Sequence, residues 1–459
     1  METMNARLIH LLRNVALTVV AASVMDAGAS AADPVFYHAP KPLASDAVVS
    51  DWPRFLGPLH NATSPETRLL RGWGDKGPTR VWEYPKGLGH SGPAIADGRV
   101  VLFHRVGDEE VVDCLEAETG KLLWSHRDKA PYRDRYGSGD GPRNNPVIGG
   151  GSVFVSGITG HLRCIALSSG NLVWQRDLVS DYTPGKNFFG LGSTPLFLEG
   201  RLVLNVGGAG DVCAVALDPA TGREVWRARH PWGASYASPI PAKLHGRECV
   251  LIFAGGESRP PTGGLLTLDA ATGEVLNATP HRAGIAESVH ASSPAVDGNR
   301  VFVGEAYGAG GLMVEVGADF KAKQLWKADR FSVYLMTPVV RDGFLYGFDG
   351  QSPRLAELVC YESATGRERW RDDLGGQFQR GSLLAADGGV LCLGENGRLA
   401  WMELSPEKAR VVESAALFAA PETWTLPALS HGLLYVCQNQ RSGAGDGPRL
   451  ICFDLRATR

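Results

Sequence analysis

The stretch that decides the fold is CYESATGRERW, which runs from Cys360 to Trp370. Its pattern predicts a strand, a tight reversal at Thr365-Gly366 and a second strand that ends on the tryptophan. Glycine suits such a turn because it lacks a Cβ atom and adopts positive φ without steric cost. The same unit recurs along the chain, so this stretch specifies a repeat rather than an isolated hairpin.

Copies of the unit keep a fixed spacing. Three further copies place a tryptophan nine residues after an apolar strand residue, with a Thr-Gly or Ser-Gly pair between the two. Their tryptophans are Trp124, Trp174 and Trp226. A fourth copy has Asn277 at the tryptophan position, and a degraded copy near residue 316 keeps only Trp326. The last copy, which begins at Ile451, stops before any turn.

A second signal precedes each unit. It consists of a small or hydroxyl residue, usually followed by proline, then a few apolar residues, a turn and an alternating apolar run. Asp-Gly turns such as Asp97-Gly98 and Asp342-Gly343 between apolar runs are the strongest short hairpin signal. Eight copies occur at intervals of 44 to 55 residues. A period of this length with four short strands per unit predicts an all-β fold, an eight-bladed β-propeller of four-stranded antiparallel blades.

The ends of the chain complete one blade. Residues 80–86 have the pattern of a last strand with its tryptophan, Trp82, whereas the C-terminal copy has a third strand and no fourth. We therefore predict that this N-terminal strand closes the blade formed by residues 426–429, 433–437 and 449–455. Such closure removes the free edges of the ring. The hydrophobic stretch 51–58 is expected to lie against the propeller, because its aromatic residues would otherwise face water.

The N terminus has the pattern of a secretory signal. Arg7 and Arg13 precede an apolar run from Val15 to Met25, which is shorter than the about 20 residues that span a bilayer. Small residues at 29–31 form a cleavage site that leaves no N-terminal cysteine. The predicted domains are a signal peptide at 1–31, an irregular lead-in at 32–79 and the propeller at 80–459. A periplasmic or secreted location is expected, without a transmembrane segment.

Charge and cysteine placement exclude some functions. The net charge of −3 gives no electrostatic reason to expect nucleic-acid binding. Four of the eight cysteines occupy one slot of the repeat, which predicts small buried strand positions rather than disulfides. Cys437 and Cys452 fall on neighbouring strands and form the one pair worth testing as a disulfide. The histidines are scattered, so no metal site is predicted, and a monomer is expected.

The unit Ala216-Leu217-Asp218, with Thr221-Gly222 and Trp226, resembles the repeat of the pyrroloquinoline-quinone (PQQ) type propellers. That family includes quinoprotein alcohol dehydrogenases and the BamB-type subunit of the outer-membrane assembly machine, and the resemblance covers residues 80–459. It implies that the tryptophans dock between neighbouring blades. The residues given this structural role are Trp82, Trp124, Trp174, Trp226, Trp326 and Trp370.

The functional motifs of quinoprotein dehydrogenases do not match. The chain has no adjacent cysteine pair, no CxxCH haem motif and no alignable Glu, Asn and Asp set for Ca²⁺. The sequence therefore resembles the exported, cofactor-free relatives, and no cofactor is assigned. PQQ with Ca²⁺ stays open as the alternative.

The candidate site lies where the repeat varies. Loop lengths differ at 127–144, 181–192, 255–263, 279–291 and 438–448, all on one predicted face, and function is often carried on such loops. A polar ring is expected at the mouth of the central channel, which could bind a quinone, a metal, a sugar or a peptide end, or simply hold water and loop backbones. Its candidate members are His90, Asn145, His290, Glu305, Asp349, Arg380, Glu395, Asn396 and Asn439.

Two functions remain at this point. The first is an exported, non-catalytic propeller that binds a protein, peptide or glycan through its loop-rich face, with the aromatic residues Phe188, Phe189, Tyr236 and Trp424. The alternative is a PQQ-dependent, quinoprotein-like oxidoreductase of alcohols or sugars. The related loops 137–143 and 443–449 could present backbone amides and an arginine to an anion, or could simply form turns.

Overall fold

The computed structural model describes residues 33–185, 187–286 and 288–457, so the predicted signal peptide lies outside the described residues. Within these ranges the strands form eight antiparallel sheets, seven of four strands and one of five. The predicted all-β, eight-bladed propeller is confirmed. The first strands of neighbouring blades contact one another around most of the ring, so they line the central channel.

The first four blades follow one another along the chain. Blade 1 comprises Ala94–Ala96, Arg99–Val106, Glu109–Glu116 and Leu122–Lys129. Blade 2 comprises Val147–Gly149, Ser152–Ser156, His161–Ala166 and Leu172–Asp177. Blade 3 comprises Leu196–Leu198, Arg201–Gly208, Val212–Leu217 and Glu224–Arg229. Blade 4 comprises Ile240–Leu244, Arg247–Ala254, Gly264–Asp269 and Val275–Pro280.

The remaining blades repeat this order. Blade 5 comprises Ala295–Asp297, Arg300–Glu305, Gly310–Val316 and Ala322–Ala328. Blade 6 comprises Val339–Arg341, Phe344–Asp349, Glu357–Glu362 and Glu368–Asp372. Blade 7 comprises Gly381–Ala386, Gly389–Gly394, Arg398–Leu404 and Ala409–Ala416. The helical segments are Leu178–Tyr182 and the single turns Ala209–Asp211, Pro353–Leu355 and Leu374–Gly376.

Blade 8 joins the two ends of the described chain. Its C-terminal strands are Ala428–Ser430, Leu433–Gln438 and Arg449–Asp454. The strand Thr79–Pro85 pairs with the last of them and places Trp82 opposite Cys452. The predicted closure by an N-terminal strand is confirmed. A two-residue strand, Val35–Phe36, then adds a fifth strand at the outer edge, which the sequence pattern did not predict.

The tryptophan of each complete unit contacts the following blade. The indole nitrogen of Trp82 donates to the carbonyl of Ala117 at 2.9 Å, at the turn that contains Gly120. A Cβ atom at Gly120 would lie 2.7 Å from the Trp82 ring, so the turn has to be glycine. Equivalent indole-to-carbonyl bonds join Trp124 to Leu167, Trp174 to Pro219, Trp226 to Ala270, Trp326 to Ser363 and Trp370 to Ser405.

The lead-in runs across the inner strands of several blades. Trp52 exchanges two backbone hydrogen bonds with Ile95 of blade 1, at 3.0 and 2.8 Å. The carbonyl of Ala62 accepts from Ala385 of blade 7 at 2.9 Å. Glu66 accepts from His431 and Gly432 of blade 8 at 2.7 and 2.8 Å. The segment therefore ties the first, seventh and eighth blades together.

The cysteines are structural. All eight are buried and free. The strand register places Cys437 opposite Leu450 and Cys452 opposite Tyr435, so the candidate disulfide is not formed. Burial raises the pKa of Cys392, because a thiolate is poorly solvated between packed strands. These thiols act as small apolar side chains.

Candidate functional site

A cavity of about 170 Å³ lies at one end of the central channel, among the loops that precede the inner strands. We call it the channel cavity. Phe55 of the lead-in lies at its inner end, so the channel does not continue freely past this segment. Aromatic side chains make up much of the wall, and they are His90, Phe189, Tyr236, Tyr334 and Trp424.

A ring of side-chain oxygen atoms organises the wall of the channel. Each of these oxygens accepts a backbone N–H from the preceding blade, which satisfies amides that would otherwise be buried without partners. Oδ1 of Asn145 accepts from Gly92 at 3.0 Å, and Oγ1 of Thr194 accepts from Asn145 at 3.0 Å. Bonds of 3.0 to 3.1 Å continue through Ser238, Ser293 and Thr337. In the sequence these residues are the small or hydroxyl residues before each proline, and the repeat pattern identifies them only as the start of a blade.

Another part of the wall, around Trp424, is held by Arg380 and Glu395, which do not themselves line the cavity. The rings of His90 and Trp424 lie 4.9 Å apart and nearly parallel. The guanidinium of Arg380 lies 5.6 Å from the Trp424 ring and 5.0 Å from the Tyr334 ring, within the range of cation–π attraction. The indole of Trp424 donates to Glu395 at 2.7 Å. Three candidate residues therefore meet here, although the sequence had not linked them to Trp424 or Tyr334.

The three acidic candidates are committed to arginine partners. Glu395 forms a two-oxygen contact with Arg380. Asp349 accepts from Arg371 at 2.6 Å. Glu305 pairs with Arg282, and the side chains of both residues are almost completely buried. None of these carboxylates lines the channel cavity. They hold loops together and do not form the expected polar ring.

The neutral candidates divide in the same way. Asn145 lines the channel cavity, whereas Asn396 donates to the carbonyl of Gln377 at 2.7 Å outside it. Asn439 lies behind the wall, where it accepts from Lys86 at 2.7 Å and donates to Thr425 at 2.8 Å. The ring of His290 packs edge-on against the ring of Phe253, with 3.7 Å between the ring centroids. Of the nine candidates, His90 and Asn145 line the cavity.

Burial sets the charge state of the wall. Burial and the positive charges of Arg143 and Lys86 lower the pKa of His90 to about 3, so the imidazole is neutral near pH 7. Burial also lowers the pKa of Lys86, whose ammonium donates to Gly89 and Asn439. Arg143 donates to three backbone carbonyls and has Asp134 at 3.5 Å. It is the one arginine in the cavity wall.

A row of aromatic rings leads from the channel cavity to the surface. Tyr236 lies 5.8 Å from Phe189, Phe189 lies 6.2 Å from Phe188, and Phe188 lies 4.7 Å from the exposed ring of Tyr136. A groove of about 310 Å³, which we call the side groove, lies next to the outer end of this row. Its lining includes Arg135.

The two related loops differ in structure. Arg143 of the first loop lies in the cavity wall. Arg449 of the second contacts both carboxylate oxygens of Glu83 at 3.2 and 3.1 Å and donates to Gln438. The second loop therefore offers no uncommitted arginine to an anion. Only the first contributes to the channel cavity.

Comparison with known proteins identifies the family. The family model described as outer membrane protein assembly factor BamB matches residues 107–372, more than half of the chain. The chain belongs to this family. The match takes in the third strand of blade 1 through the last strand of blade 6.

Solved structures show the same fold. BamB from Moraxella catarrhalis is 14% identical with a TM-score of 0.54, covering 83% of this chain and 98% of that one. Quinohemoprotein alcohol dehydrogenase from Comamonas testosteroni is 12% identical with a TM-score of 0.58, covering 89% of this chain and 81% of that one. A 1-butanol dehydrogenase (cytochrome c) from Thauera butanivorans is 27% identical over 135 residues, 28% of this chain and 18% of the relative. The match spans less than a fifth of that relative's length.

The residues of the channel cavity do not fit a Ca²⁺-bound quinone. Hard cations take oxygen ligands, chiefly carboxylates, and none of the described residues that line the cavity carries a carboxylate. No group of three or more His, Cys, Asp or Glu side chains suited to a metal occurs in the described parts of the chain. PQQ carries three carboxylates, and Arg143 is the single cationic side chain among the described residues of the wall.

Among the described helices, none is long and apolar enough to cross a membrane.

Proposed function

We propose that the protein is an exported, non-catalytic propeller that binds a peptide segment of a protein partner on its loop-rich face. The observation that carries this proposal is the channel cavity, with its preassembled aromatic wall and the aromatic row that leads outward from it. Aromatic and arginine side chains in partly closed pockets are the usual energetic centres of protein interfaces. The stack around Trp424 is already ordered, so binding loses little conformational entropy.

The donor set of the cavity argues against the alternative, a PQQ-dependent oxidoreductase of alcohols or sugars. Every acidic candidate is paired with an arginine, and none of the three carboxylates lines the cavity. The export proposal rests on the N-terminal sequence pattern, and we propose a periplasmic or secreted monomer. A glycan is an alternative occupant, because sugar rings also stack on aromatic side chains.

The test is binding by two matched variants. Peptides are selected from a display library on the full chain, and a glycan array is screened beside them. Leu335 lies in the cavity wall, so Leu335→Trp should narrow the entrance. The affinity of the selected peptides should then fall about tenfold or more. Leu172 lies exposed on an outer strand, and Leu172→Trp is the matched control that should leave affinity unchanged.

Three results would overturn the proposal. One is that the selected peptides bind both variants as tightly as the wild type. A second is that only glycans bind. The third is that the quinone absorbance changes on titration with PQQ and Ca²⁺ and dye-linked alcohol oxidation follows, which would support the oxidoreductase instead.

A further inference from the structure

Resting on the proposed function, we propose that the channel cavity binds the C-terminal residue of a peptide, with its free carboxylate at the oxygen ring and its side chain against the aromatic wall. The groups that carry this inference are Asn145, Thr194 and Ser238. Each lines the cavity, and their exposed fractions are 5%, 4% and 7%.

These three side chains offer hydrogen atoms to the cavity. Their oxygen atoms already accept backbone N–H groups around the ring. A hydroxyl keeps one hydrogen to donate, and an asparagine amide keeps two. Among the described residues none of these hydrogens has an acceptor within bonding distance, since all three side chains act only as acceptors. A buried donor without an acceptor is costly, so the wall favours a ligand rich in acceptor oxygens.

The charge of the wall has the matching sign. Arg143 is cationic, and its nearest carboxylate is that of Asp134 at 3.5 Å. Among the described residues that line the cavity, none is acidic. Behind the wall, Lys86 forms no ion pair with any described residue, and an anion in the cavity would stabilise its charged form. A peptide amino terminus would instead bring a third cation to this place.

The shape of the cavity selects a chain end. A cavity of about 150 Å³ holds one benzene ring, so the 170 Å³ here admits one side chain together with a carboxylate. Phe55 lies at the inner end, so a peptide cannot pass through. The preceding residues would leave along the row from Tyr236 to Tyr136, towards the side groove. The groove lining there includes Arg133 and Arg135 beside Glu257, so we expect a preference for an acidic residue.

The test compares three probes on the full chain by calorimetry. They are a five-residue peptide that ends in phenylalanine with a free carboxylate, the same peptide with a C-terminal amide, and N-acetylphenylalanine. We expect the free acid to bind about tenfold or more tightly than the amide, since hydrogen bonds to a charged group are stronger than neutral ones. N-acetylphenylalanine should compete at the same site and bind more weakly than the acid peptide.

A charge substitution checks the place of binding. Asn145→Asp keeps the oxygen that accepts from Gly92 and adds a negative charge to the wall. This substitution should lower the affinity for the acid peptide about tenfold or more and leave the affinity for the amide peptide nearly unchanged. Asn396→Asp, outside the cavity, is the matched control and should change neither affinity.

The outcomes separate this inference from the proposed function. Equal affinity of the acid and amide peptides overturns carboxylate recognition but leaves peptide binding intact. If N-acetylphenylalanine binds as tightly as the acid peptide, the site serves small aromatic acids and the peptide terminus is wrong. If display-selected peptides ignore Leu335→Trp, the proposed function itself fails.

Discussion

At the scale of single residues, the propeller depends on a contact between one tryptophan and one glycine. Gly120 has φ of 72°, and its Cα lies against the ring of Trp82. Gly170 and Gly222 make the same contact with the tryptophans of the blades before them. The Thr-Gly element of the repeat therefore serves the turn and the joint between blades together, which explains why the two residue types recur at one spacing.

Two glycines separate these contributions. Gly98 has φ of 67°, and an added Cβ would have no atom within 4 Å. Gly98→Ala should therefore lower the free energy of unfolding by about 1–2 kcal/mol, from backbone strain alone. Gly120→Ala adds a steric clash with Trp82 and should lower the free energy of unfolding by about 1–3 kcal/mol more. Urea denaturation measures both. Equal losses would show that the tryptophan contact does not constrain the turn.

At the scale of elements, the lead-in is a structural part of the ring. It pairs with inner strands of blades near both ends of the chain, as Trp52 does with Ile95 and Ala62 with Ala385. Phe55 also closes the inner end of the channel cavity. The sequence predicted contact with the propeller from hydrophobicity, but not the path across the channel, because that path depends on partners over 300 residues away.

Glu66 tests how firmly this element is held. Its carboxylate accepts backbone hydrogens from Ser50 and His431 on one oxygen and from Gly432 on the other. Glu66→Gln turns one acceptor into a donor that faces another donor, and should lower the free energy of unfolding by about 1–3 kcal/mol. Glu274→Gln changes an exposed carboxylate and should shift the free energy of unfolding by at most about 0.5 kcal/mol. Matching denaturation midpoints would contradict this.

At the scale of the whole molecule, several histidines are held neutral by burial. Burial, with a nearby arginine for His60, lowers the pKa of His60 to about 3 and that of His281 to about 4. His90 in the cavity wall behaves alike. These groups come from the lead-in, the ring interior and the site, so the protonation of the molecule couples its stability to pH.

The sign of this coupling follows from the two states. Unfolded histidine binds a proton near pH 6.5, whereas the folded groups do so only near pH 3 to 4. The free energy of unfolding should therefore fall as pH drops from about 6.5 towards 4, by up to about 1.4 kcal/mol per pH unit for each group. Denaturant midpoints at pH 7.5 and 5 measure it. His281→Gln should reduce the slope, and His38→Gln, at an exposed position, should not.

The site shows where sequence reasoning reached its limit. The structure places His90 and Asn145 in the cavity wall, and both precede an inner strand. Sequence reasoning grouped Glu305, Asp349 and Glu395 with them. These carboxylates pair with Arg282, Arg371 and Arg380, since a buried charge needs a partner. Loop pairing of this kind is set by three-dimensional packing and leaves no trace in the spacing.

The stretch from Cys360 to Trp370 and its copies determined the number of blades, their strand order and the closure of the ring. Those features follow from local turn chemistry and from alternation, which are written residue by residue. The tertiary structure decided which oxygens face the channel, that the lead-in crosses it, and that His90 and Arg380 both pack on the ring of Trp424. Each of these depends on residues that are remote in sequence and adjacent only once the ring has closed.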